Sequence, residues 1–166
     1  MMDSATASPY IPGMTHSPAS AADRITSATG FLLFRVGDAA RAVIERTLEP
    51  WGMRGKDLRA LAFVCDEIVS QQDLCRLTGM DRTTMVAVVD GLERLGYAQR
   101  NRSPVDRRKH VISPTPLGRT AHHDAMTALL RAETAFLAPL DETERDVLNG
   151  ALLKLYAAHD PTCAPR

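Results

Sequence analysis

The densest chemistry in the 166-residue chain lies between Tyr97 and Ser113, where Arg100, Arg102, Arg107, Arg108 and Lys109 stand against a single carboxylate, Asp106. That stretch carries a net +4, while the whole chain, with 20 Lys+Arg against 20 Asp+Glu, is formally neutral. A cation cluster on an otherwise acidic chain is suited to holding a polyanion, and an arginine at the tip of a projecting loop fits the narrow minor groove of duplex DNA. A second group lies just upstream: Arg82, Thr83, Thr84, Val86 and Ala87, with Ser70 and Gln71 before them. Arg82 can read guanine or grip phosphate, the threonines can bond phosphates or bases, and Val86 and Ala87 can touch thymine methyls.

These residues need a scaffold. Ser70 followed by Asp73 is a helix start of capping-box type, and the short helix it opens, over 71–78, ends at Gly79, which tolerates the left-handed conformation. Asp81 is a good N-cap for a second helix over 82–95, stopped by Gly96. Its apolar face is Met85, Val89, Leu92 and Leu95, which leaves Arg82, Thr83, Thr84, Val86, Ala87 and Asp90 pointing elsewhere. Two short helices on a tight turn have the spacing of a helix-turn-helix, with Cys75 as a small residue inside the first. Residues 97–100 and 109–113 read as strands, with the polar tip 101–108 between them.

Around this centre, apolar residues from Ile25 to Leu48 recur with helical spacing on more than one face, predicting one helix over 23–48. A shorter helix spans about 56–66. Thr115 and Pro116 open a long helix to about 138, closed by Pro139, and Asp141 with Glu144 opens a last one to about 158. Residues 1–22, rich in Ser, Ala, Pro, Gly and Thr, read as a disordered N-terminal arm. The length favours one domain. The order predicted is four helices, a β-hairpin and two helices, a mainly α fold with a small β-hairpin wing.

The runs SQQDLCRLTGMDRTTM and VDGLERLGYAQRNRSPVDRRKHVISPTPLGR resemble the recognition segment and wing of MarR-family transcriptional regulators, including a D-x-R signature at Asp106 and Arg108. The resemblance implies a MarR-type domain over 23–160: a winged helix-turn-helix lobe (56–113) joined to a helical dimerisation lobe (23–50 and 114–160) that pairs with a second copy. It also implies that Asp106 orients the wing, that Arg108 enters the minor groove, and that the protein represses a nearby gene. A carboxylate two residues from an arginine can pre-orient its guanidinium by a charge-assisted bond. Cys75 stands where the family commonly has alanine.

The flanking helices carry more apolar surface than one lobe needs, so a two-fold homodimer is expected, with double-stranded DNA bearing an inverted-repeat operator as its partner. For a small-molecule effector, Arg35 between Phe34 and Val36 has two readings. It could bind an anionic ligand such as an aromatic carboxylate, or, the weightier reading, it snorkels to solvent or bonds Asp38. Metal sensing by His122, His123 and Asp124 is disfavoured, because consecutive helical residues point about 100° apart. Redox sensing by the three cysteines Cys65, Cys75 and Cys163 is a weak alternative, as is a winged helix used for protein contacts. No cofactor is expected. The absence of GxSxG, HExxH, Walker A, GxGxxG and CxxC speaks against an enzyme. No stretch is apolar enough to span a membrane, no secretory leader is evident, and the odd cysteine count gives no disulfide framework, so a cytoplasmic protein is expected.

Overall fold

A computed structural model describes residues 20–102 and 110–159. The elements in order are α1 (Ala21–Thr26), α2 (Thr29–Leu48), a 3-10 turn (Glu49–Trp51), α3 (Gly55–Asp66), α4 (Gln71–Thr78), α5 (Arg82–Arg94), β1 (Ala98–Arg102), β2 (His110–Pro114), α6 (Pro116–Phe136) and α7 (Glu142–His159). No described helix is long and apolar enough to cross a membrane.

The single helix expected over 23–48 is broken at Ser27 and Ala28. The Ser27 hydroxyl donates to the Asp23 carbonyl at 2.7 Å and the Thr26 hydroxyl to the Ala22 carbonyl at 3.0 Å, while the Ala28 N–H turns back to Ile25. Hydroxyls bonding backward compete with helix continuation, which apolar periodicity alone does not register. Ahead of the break, Ser20 and Asp23 cap α1 reciprocally, at 3.1 and 2.9 Å, so a helix begins within the last residues of the stretch read as an arm.

The chain divides within α2 into two compact units, residues 1–38 and 39–166, where length alone favoured one. In the first unit the side chains of Thr29–Asp38 are exposed except for a half-buried Phe31, and Leu32, Leu33, Phe34 and Val36 all face out.

The second unit holds the core. Leu48, Leu58, Leu61, Val64, Val69, Leu74, Met85, Val88, Val89, Leu92 and Ile112 are buried together, with Ala125 of α6 among them. In α5 the buried stripe is Met85, Val88, Val89 and Leu92, wider by Val88 than the predicted face, as befits a helix packed on both α3 and α4. Strands β1 and β2 pair antiparallel, Ala98 opposite Pro114 through Arg102 opposite His110, and β1 runs two residues further toward the tip than expected. A third position joins them, because the Ile112 N–H donates to the Val69 carbonyl at 2.7 Å and draws the α3–α4 connection onto β2.

The base of the wing is fixed to α6. Thr115 caps that helix by accepting from the Gly118 N–H at 2.9 Å and donates its own hydroxyl proton to the Gly96 carbonyl at 2.6 Å. The Thr115 N–H bonds the Tyr97 carbonyl at 3.0 Å, and the Tyr97 hydroxyl donates to the Trp51 carbonyl at 3.1 Å. Just past the other end of α6, Arg145 Nε donates to the Leu137 and Leu140 carbonyls, placing a cation at the negative end of the helix. Helix α7 has no buried residue and exposes Val147, Leu152, Leu153 and Leu155.

Candidate nucleic-acid interface

Helices α4 and α5 are set by their caps. Ser70 Oγ accepts from the Asp73 N–H at 3.1 Å, and Asp73 Oδ2 accepts from both the Ser70 N–H (3.2 Å) and the Ser70 hydroxyl (2.6 Å). Arg76 also pairs with Asp73. The chain turns at Gly79, whose φ of 68° lies in the left-handed region that favours glycine, and the buried Thr78 closes the turn by donating to Leu74 and accepting from the Met80 N–H. Asp81 then accepts from the Thr84 N–H at 2.9 Å and from the Thr84 hydroxyl at 2.6 Å.

This capping sorts the predicted contact residues. Arg82, Thr83, Val86 and Ala87 lie exposed on the first turns of α5. The donor protons of Ser70 and Thr84 are committed to Asp73 and Asp81, so each hydroxyl offers a partner only an acceptor lone pair. Where the first turns of α4 and α5 meet, Gln71, Gln72, Cys75 and Arg82 line a cleft of about 460 Å³. Its amides and guanidinium suit a backbone phosphate. Sequence reasoning named Gln71 and Arg82 but not Gln72, which carries the same amide one position on.

In the wing, Arg102 is exposed, whereas Arg100 is half-buried against α5 and pairs with Asp90 and Glu93. Asp106, Arg107, Arg108 and Lys109 lie outside the described residues. Arg35 is exposed on α2. Neither sensing alternative gains support. Among the described residues no group of His, Cys, Asp and Glu could hold a metal ion, His123 and Asp124 being exposed and His122 half-buried. Burial pushes the Cys65 thiol up from its ordinary value, away from the reactive thiolate; Cys163 lies outside the described residues.

The caps make this region acid-sensitive. The Ser70 hydroxyl, then Arg76, holds Asp73 below the usual carboxylate range, and the Thr84 hydroxyl and N–H do the same for Asp81. A carboxylate whose folded pKa is depressed contributes stability that is present above its unfolded value, about 3.9, and lost as pH falls through the folded value. Urea unfolding followed from pH 6 to pH 2 is therefore expected to show stability falling below about pH 4. Ser70→Ala should cost about 1 kcal/mol at neutral pH and reduce the Asp73 share of that acid loss, since Arg76 and the residue-70 N–H still hold the carboxylate.

Comparison with known proteins agrees with this geometry. Residues 51–109, from the last residue of the 3-10 turn to just before β2, match the model of the MarR family. A protein of Thauera aromatica named as a transcriptional regulatory protein for the hcr operon is 36% identical over 96 residues, 58% of this chain and 58% of that protein, so the chain spans less than two thirds of that relative. CouR from Rhodococcus jostii RHA1, bound to p-coumaroyl-CoA, is 29% identical and superposes with a TM-score of 0.70 over 82% of this chain and 95% of its own. The transcriptional repressor CouR bound to a 23-mer DNA duplex gives 25% identity and a TM-score of 0.72 over 80% of this chain and 94% of its own. A capped helix-turn-helix and a wing fixed to α6 thus coincide with the segment, residues 51–109, that matches the MarR family of transcriptional regulators.

Proposed function

We propose that the chain is a DNA-binding transcriptional repressor that holds an inverted-repeat operator as a homodimer in the cytoplasm and releases it when a small anionic molecule binds. The observation that carries this reading is the exposed first half of α5 beside a hairpin of net charge +4. One element offers Arg82, Thr83, Val86 and Ala87 to base edges, and the other offers cations to the backbone. In the division of labour we assign, the lobe over 56–113 contacts DNA, with Arg102, Arg107, Arg108 and Lys109 on phosphates or the minor groove and Asp106 orienting Arg108.

The second copy is supported by the large apolar side chains left exposed on α2 and α7, including Phe34, Val36, Val147 and Leu155, of the kind that association surfaces bury. The effector class we assign is an aromatic carboxylic acid or its thioester, in keeping with the p-coumaroyl-CoA bound by CouR. Arg35 is the candidate cation for such an acid.

Footprinting on the promoter of the regulated gene tests the proposal. Protection of two inverted half-sites about 34 Å apart is expected, with Arg108→Ala weakening all duplexes alike and lowering the salt slope by about 0.9 for each phosphate it no longer neutralises. Protection of a direct repeat, or unchanged affinity in Arg108→Ala, contradicts it.

A further inference from the structure

Two carboxylates near the DNA-reading face belong to the reading helix itself. Asp90 and Glu93 lie on α5 one turn apart, and carboxylates facing a phosphate backbone would repel it. One residue answers both: Arg100 Nη2 donates to Asp90 Oδ1 at 2.7 Å and Arg100 Nη1 to Glu93 Oε2. Glu93 also accepts the Arg100 backbone N–H through Oε1 at 2.9 Å, so strand β1 is fixed to α5 by side chain and main chain together. The period of two along β1 puts Arg100 on the same side as the buried Ala98, toward the helix, and its strand partner Ile112 is in the core. Arg100 and Glu93 are each 30% exposed and Asp90 49%.

From this geometry we infer that Arg100 is a positioning residue. It sets the wing at a fixed angle to the recognition helix and neutralises the two carboxylates beside the duplex, and it makes no phosphate contact of its own. The inference rests on the DNA-binding reading above. Its chemistry depends on the planar fork of the guanidinium, which reaches two carboxylates at once; an ammonium is a point charge and cannot hold both in that geometry. Among the described residues of the wing this leaves Arg102 as the exposed cation that faces DNA, beside Arg82 on α5.

The test separates a positioning role from a direct phosphate contact by the salt dependence of binding. Arg100→Met is expected to lower affinity for an inverted-repeat duplex roughly 3- to 30-fold, as loss of coupling between elements does. The slope of log K against log salt should shift by less than half of the ~0.9 expected when one phosphate goes unneutralised. Arg100→Lys should restore only part of the affinity. In the protein without DNA, amide hydrogen exchange over residues 98–102 should quicken in Arg100→Met and stay at the wild-type rate in Ala87→Glu, a substitution that keeps Arg100, Asp90 and Glu93 in place. A slope change of the full ~0.9, full rescue by lysine, or unaltered exchange in Arg100→Met overturns the inference. If wild-type protein ignores DNA, the functional reading fails, and the exchange data still decide whether Arg100 fixes the wing to α5.

Discussion

Gly118→Ala is expected to collapse the winged lobe, with a loss of about 3 kcal/mol or more, at the upper end of what overpacking costs. A Cβ at this position would meet the Tyr97 carbonyl oxygen at 1.9 Å and the Tyr97 carbonyl carbon at 2.7 Å. Those are backbone atoms, and they cannot swing aside. Tyr97 is held by its carbonyl to the Thr115 N–H and by its hydroxyl to Trp51, while Thr115 is tied to both Gly96 and Gly118. Relief would require the first turn of α6 to lift away from the strand that feeds the wing. Thermal melting should show a large fall in Tm for Gly118→Ala. Gly91→Ala serves as the control: it has open space around a Cβ inside helix α5 and should be neutral or gain up to about 1 kcal/mol. A Gly118→Ala protein that melts like wild type would mean that the wing is not seated on α6 as described.

Ala87→Glu is expected to abolish operator binding while leaving the fold intact. Ala87 is exposed in the middle of α5, and glutamate is a good helix former, so the free protein should melt within about 0.5 kcal/mol of wild type. In the complex, the new carboxylate would lie between base edges and phosphates, and Arg100 is already shared between Asp90 and Glu93. An unpaired charge buried at an interface costs about 2–5 kcal/mol, roughly a 30- to 4,000-fold loss of affinity. Gel-shift titration alongside thermal melting separates the two effects. Retained affinity would move the reading surface off this face of α5.

Much of the central lobe is legible in the sequence. Helices α4 and α5 end within a residue of their predicted limits because every boundary carries its own local signal: Ser70 with Asp73, Gly79, Asp81 and Gly96. The start of α6 at Thr115 and Pro116 is equally local. What the chain does not advertise is tertiary. The break at Ser27 depends on hydroxyls bonding backward, and apolar periodicity runs straight through it. The Val69–Ile112 bridge is a single pair with no pattern to announce it. The same holds for the interface. A charge count treats Arg100 and Arg102 alike, and only the approach of β1 to α5 shows that one is committed to carboxylates. Likewise, Ser70 and Thr84 look like available hydroxyls until their caps are seen to occupy the donor protons.

The central claim is that one scaffold presents a cationic wing and a reading helix to the same duplex. Its most direct test is the affinity of the purified protein for its own inverted-repeat operator, measured from 50 to 200 mM salt. A dimer placing two wings on DNA should contact at least six phosphates, so affinity should fall linearly on a log–log plot by about a thousandfold or more over that range. Binding that ignores salt, or no binding at 50 mM, would contradict the account.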